Sequence, residues 1–196
     1  MYPQLVPLIL FCCAAAFTPG PNNILGSYSG FNFGIKKSIP LILGVAFGYP
    51  FLLIVLAAGL IIVFKIYPVL QIILKVCGSV FLTYLAYKIS FQNKVKQQMV
   101  TNPVKFFHTF IFQFINPKGV IIAVITISTF VETGSNYLFH SIVVIAVSFC
   151  CAITSITSWC LLGKFLRRFA TDEKFIQIFN YVMSFLLIVC VIMFYL

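Results

Sequence analysis

Acidic residues are almost missing from this sequence: Asp and Glu together number 3 among 196 residues, and charged residues of both signs make up 8%. A soluble domain is about a quarter charged, so a chain surrounded by water on all sides is excluded. The three acids, Glu132, Asp172 and Glu173, fall outside the long apolar runs, and no membrane-depth carboxylate is expected. Thiol pairs at zinc or redox spacing are also absent. The seven cysteines, Cys12, Cys13, Cys77, Cys150, Cys151, Cys160 and Cys190, contain no CxxC, and their odd count suits small packing residues. His108 and His140 form no HExxH pair, which leaves no metal site, no cofactor and no enzyme to argue for. No Lys or Arg precedes the first apolar stretch in "MYPQLVP", so a cleaved signal peptide is not expected.

What the chain has instead is apolar length. It is 62% hydrophobic with a mean hydropathy of +1.11. Six apolar runs cover residues 5–28, 39–65, 69–90, 107–131, 138–162 and 175–196. Each reaches the roughly 20 residues that a helix needs to cross the hydrocarbon core. Stretches such as "LLIVLAAGLIIVF" do not alternate apolar and polar residues as barrel strands do. The expected class is an all-α integral membrane protein with six transmembrane helices in a single domain, 1–196.

The net charge of +10 is distributed as a topology signal rather than a nucleic-acid surface. Ten of the thirteen basic residues fall in alternate connections: Lys36 and Lys37; Lys88, Lys94, Lys96 and Lys105; Lys164, Arg167, Arg168 and Lys174. By the positive-inside rule those connections face the cytoplasm, and both termini lie outside a cell membrane. Anionic lipid is a further partner for the same charges.

The polar connection 92–103 divides the chain into halves, 1–91 and 104–196, with three runs each. Three is odd, so the second half enters from the opposite face, as in an inverted repeat. The first run of each half is interrupted, by "TPGPNN" at 18–23 and by "FINPKG" at 114–119. Helices 1 and 4 are therefore expected to be broken near mid-membrane. Proline removes an amide hydrogen and disfavours helix in the residue before it. Lipid cannot satisfy the carbonyls that this frees. The half-helix restarting after Pro21 presents free amides and a partial positive charge, an arrangement suited to a carboxylate. Asn22 and Asn23 add polar side chains there.

Lys118 follows Asn116 and Pro117 about eleven residues into its run. A cation at that depth is a functional candidate by default. It can pair with carbonyls of the first break or with an anionic group of a cargo; a headgroup position is the alternative. Lys75 fits a snorkelling role. Gly44 with Gly48, and Gly30 with Gly34, carry the GxxxG spacing of close helix packing. Tyr84 and Tyr87 fit the inner interfacial belt, with a cavity wall as the alternative for Tyr84. The hydroxyls of "TSITS" at 154–158 are expected to bond to their own helix, with a hydrated path as the alternative.

These motifs resemble the LysE/RhtB family of amino-acid exporters along nearly the whole chain. "TPGPNN" matches the first-helix pattern, and "SGFNFGIKKSIPLILGVAFG" is similar to the glycine-punctuated inner loop and second helix. "CGSVFLTYLAYK" resembles the G-x-x-Y-L-x-Y-L-G pattern, with Phe81 for its first Tyr and Ala86 for its last Gly. "FFHTFIFQFINPKG" matches the start of the fourth helix. The resemblance implies secondary-active export of amino acids or similar small zwitterions by alternating access. The implied substrate-binding residues are Pro19, Gly20, Pro21, Asn22, Asn23, Asn116, Pro117 and Lys118. A proton is the candidate coupling ion and a homodimer the candidate assembly. Many members carry an acid just after the second glycine of helix two, whereas this chain has Gly48-Tyr49-Pro50. That departure removes the usual proton carrier and an acidic partner for a cationic cargo.

Two other functions compete. Distantly similar thiol–disulfide electron carriers place a cysteine beside each break proline, but Gly20 and Asn116 precede Pro21 and Pro117 here. A non-transporting membrane scaffold would use the Pro–Asn segments only as packing kinks.

Overall fold

Lipid offers the backbone no hydrogen-bond partners, so apolar runs of this length close their amides internally as helices. In the computed structural model, which describes residues 2, 4–60, 62, 66, 67, 69–91, 103–132, 134–170 and 173–195, every regular element is helical. The linker expected at 92–103 lies outside the described residues apart from Pro103, as do Lys65, Lys94, Lys96 and Asp172.

Among the described residues, seven helices follow one another: α1 (Leu5–Phe17), α2 (Pro21–Val55), α3 (Val69–Phe91), α4 (Phe106–Ile115), α5 (Pro117–Phe130), α6 (Tyr137–Arg167) and α7 (Glu173–Met193). A wider π-helical turn, Leu56–Leu60, extends α2. Four stretches of the described residues are long and apolar enough to span a membrane, and the α4–α5 pair, bent by 65°, makes a fifth if it counts as one span. α1 is apolar but has only 13 residues.

The boundaries differ from the sequence expectation at one place. A connection was expected between runs 5–28 and 39–65, yet α2 continues through it, Lys36 and Lys37 included. The turn is confined to Gly34, whose φ of 73° only glycine adopts without strain. Gly34 therefore serves the backbone turn and not the packing pair expected from its spacing with Gly30, since nothing lies within 4 Å of a Cβ built on it.

The other glycines of those motifs do mark close contacts. A Cβ on Gly30 would collide with the Cys160 carbonyl, and one on Gly163 with the Ser27 carbonyl, so α2 and α6 cross backbone to backbone. Gly44 and Gly48 admit α4 in the same way, against Thr109 and Phe110. α2 packs mainly along α6 and α4, while α3 packs on α7. Stacking of Phe31 on Phe179, with ring centroids 3.7 Å apart, ties α7 to α2.

The apolar core falls into two clusters. One joins Leu8 and Cys12 of α1 to Leu52, Leu53, Val120, Ala123 and Val144. The other joins Ile24 and Leu25 to Leu41, Leu82, Phe112, Ile156 and Leu187. The breaks at 18–20 and at 116 lie where the two clusters meet.

Candidate functional site

The end of α1 sets the site's chemistry. Helix C-termini leave carbonyls without intrahelical partners, and after Phe17 the chain turns into extended backbone at Thr18. Four of the acceptors there, on Ala15, Ala16, Thr18 and Pro19, find a side chain. Thr18 Oγ1 donates to the Ala15 carbonyl at 2.9 Å. Asn23 Nδ2 donates to the carbonyls of Ala16 and Thr18 at 2.7 and 2.9 Å. Ser155 Oγ, from α6, donates to Ala16 at 2.7 Å.

Lys118 completes the set from the other break. Its Nζ donates to Thr18 O at 3.0 Å, Thr18 Oγ1 at 2.9 Å and Pro19 O at 3.2 Å. A cation in the first turn of α5 is opposed by that helix's own dipole, whereas the carbonyl end of α1 attracts it. Lys118 thus caps a helix a hundred residues away in sequence. Glycine at position 20 lets it pass: a Cβ there would meet Lys118 Nζ at 2.9 Å.

The second break is a single residue. Asn116 has φ −80° and ψ 105°, ending α4 and starting α5 at once. Gln113, one turn earlier and 0% exposed, pairs reciprocally with Asn22: Asn22 Nδ2 donates to Gln113 Oε1 at 2.8 Å, and Gln113 Nε2 donates to Asn22 Oδ1 at 3.2 Å. Gln113 Nε2 also donates to Thr109 O at 2.7 Å. Asn116 itself is 2% exposed, and its Oδ1 has no hydrogen-bond partner.

These groups surround a cavity of about 80 Å3, equal to the share of two to three liquid waters at about 30 Å3 each. Gly20, Pro21, Asn22, Asn23, Asn116 and Lys118 line it. Pro19 stays outside the lining and contributes its carbonyl to Lys118. Pro117 is buried at the start of α5, beside Gly78. Tyr49, the residue at the position of the missing acid, is on the wall, as are Cys12, Ser148 and Cys151. Tyr84 is not; it is 57% exposed on α3.

Sequence reasoning missed two contributors and one contact beside the site. Gln113 is the only amide inside α4 and signals itself by polarity alone. Ser155 leaves its own helix to reach Ala16, while Thr154 and Ser158 bond back to Cys150 O and Thr154 O within α6. Cys13 and Cys151 bring their sulfurs to 3.7 Å across α1 and α6, a proximity that no spacing along the chain reveals. Lys75 lies with its ammonium 4.4 Å from the Tyr195 ring centre, away from the cavity. Among the described residues, no three His, Cys, Asp or Glu side chains gather as a metal site.

Long apolar helices around a small cavity with no acidic residue on its wall define a multi-pass membrane protein. Comparison with known proteins gives the family: the chain belongs to the LysE type translocators, whose family model matches residues 13–196. Curated relatives include the cysteine/O-acetylserine efflux protein of Escherichia coli O6:K15:H31 (strain 536 / UPEC), 28% identical over 180 residues and 90% of both chains. The same-named protein of Escherichia coli O157:H7 is 27% identical over 177 residues, again 90% of both. That of Shigella flexneri is 26% identical over 196 residues, 96% of this chain and 98% of the relative. No solved structure matches.

Proposed function

We propose that the protein exports a small neutral amino acid across the cell membrane, with the cargo held between the two breaks. The observation that carries this reading is the unpartnered Oδ1 of Asn116, buried on the wall of the cavity that also holds Lys118 and the α2 N-terminus. A zwitterion supplies what each end lacks. Its ammonium donates to Asn116 Oδ1, and its carboxylate meets the free amides that follow Pro21 and the Lys118 ammonium. A cargo with an added positive charge finds no acid to pair with. Cysteine and O-acetylserine, in the relatives' names, are small amino acids of this kind.

Alternating access rests on a six-span reading in two inverted halves. The stretch Pro21–Gly59 has 39 residues, about 58 Å of helix, nearly twice the hydrocarbon thickness. Divided at Gly34, residues 21–33 join α1 as the first crossing and 35–60 make the second. α3, the α4–α5 pair, α6 and α7 supply the other four. With Tyr49 in place of the acid, proton coupling would have to use another group.

Asn116→Leu keeps the side-chain volume and removes the acceptor. Efflux of radiolabelled amino acid from preloaded proteoliposomes is expected to fall to the protein-free level while membrane insertion is unchanged. Undiminished efflux from a well-inserted variant would sink this site. Absence of flux from the unmodified protein would favour the scaffold instead.

A further inference from the structure

The transport reading leaves unused the thiol pair beside the cavity. Cys13 on α1 and Cys151 on α6 are both free, and their sulfur atoms are 3.7 Å apart. Cys151 lines the cavity together with Cys12, whose sulfur lies 3.6 Å from Ser148 Oγ. Cys13 sits one helical turn before α1 ends at Phe17. Two thiols in contact, on different helices, with one of them on the cavity wall, differ from the other cysteines in having a thiol partner.

We propose that Cys13 and Cys151 are a peroxide-sensitive pair whose disulfide ties α1 to α6 and stops transport. The atoms balance in two steps. A small hydroperoxide ROOH gives its terminal oxygen to the sulfur of Cys13, the more exposed of the two, forming the sulfenic acid and releasing ROH. The Cys151 sulfur then attacks the Cys13 sulfur, the hydroxyl leaves with the Cys151 proton as water, and the S–S bond forms. Two thiols are oxidised and one peroxide O–O bond is reduced. A disulfide requires about 2.05 Å between sulfurs, so from 3.7 Å the pair closes by under about 2 Å. Reversal needs two equivalents of a small thiol, which leave as their own disulfide. Cysteine, if carried, would restore the protein that carries it.

The arrest rests on the transport reading, because only a moving α1 can be stopped by a tether. In the inverted-repeat arrangement α1 and α6 belong to opposite halves, and the bond would join them one turn from the first break.

The test uses full-length protein in proteoliposomes treated with hydrogen peroxide, then with dithiothreitol. Intact mass should fall by two hydrogens, two maleimide-reactive thiols should disappear, and amino-acid efflux should be lost; dithiothreitol should restore all three. Cys13→Ser should keep basal efflux and lose the entire response, while Cys190→Ser should behave as the parent. Retention of all seven thiols under peroxide overturns the proposal. So does a bond that persists in Cys13→Ser, or a Cys13–Cys151 bond that leaves efflux intact. If the reduced protein moves no amino acid, the transport reading and the arrest fail together, and the mass measurement still decides the bond.

Discussion

At the residue scale, Lys118 unites two features that look unrelated in sequence, an intramembrane cation and a helix end without partners. Its ammonium satisfies acceptors at Thr18 and Pro19 that lipid would leave bare. Lys118→Met keeps much of the length and removes the donor. Thr18 and Pro19 are exposed, so the variant gives up at most the net worth of a typical hydrogen bond, about 1 kcal/mol, and should melt slightly lower in detergent and lose efflux. Full retention of both would mean that water replaces the lysine without loss. Asn22, Asn23, Asn116 and Lys118 were conspicuous in the sequence as polar residues inside apolar runs, and the four line one cavity. Gln113 was not, because its importance comes from facing Asn22, and a partner on another helix leaves no mark on local pattern. Tyr49 was read as a substitution at a known position, and its place on the cavity wall makes that substitution chemical rather than peripheral.

At the scale of elements, glycine decides how closely helices approach. The carbonyl of Ser27 fills the space that a side chain at Gly163 would take, and the carbonyl of Cys160 does so at Gly30. Gly163→Val must therefore push α6 away from α2. Overpacking of this kind costs about 1–3 kcal/mol, and the expected outcome is a lower melting temperature with the Asn23 and Ser155 contacts to Ala16 weakened. An unchanged melting curve would show that the two backbones are not in contact. Helix existence was readable from apolar length, and both interruptions from Pro and Asn. The course of residues 29–38 was not, because two lysines and two serines resemble a loop when their helical setting is unseen. There a single positive φ at Gly34 replaces a ten-residue connection.

For the whole molecule, orientation is an expectation drawn from charge. The positive-inside rule would put Lys36, Lys37, Lys105, Lys164 and Arg167 in the cytoplasm and Glu132, with a side chain 59% exposed, on the opposite side. In a background lacking the native cysteines, Glu132→Cys should react with an impermeant maleimide in intact cells. Lys164→Cys should react only after permeabilisation, and the reverse pattern would invert the topology. The two apolar clusters also have a mechanical meaning. Each is held by tight side-chain packing, but the layer between them is bridged by hydrogen bonds of Asn22, Asn23, Gln113, Ser155 and Lys118. Such bonds can be traded for bonds to a passing solute, whereas close packing has no substitute. The layer between the clusters is therefore the one whose contacts can be exchanged without opening the apolar core.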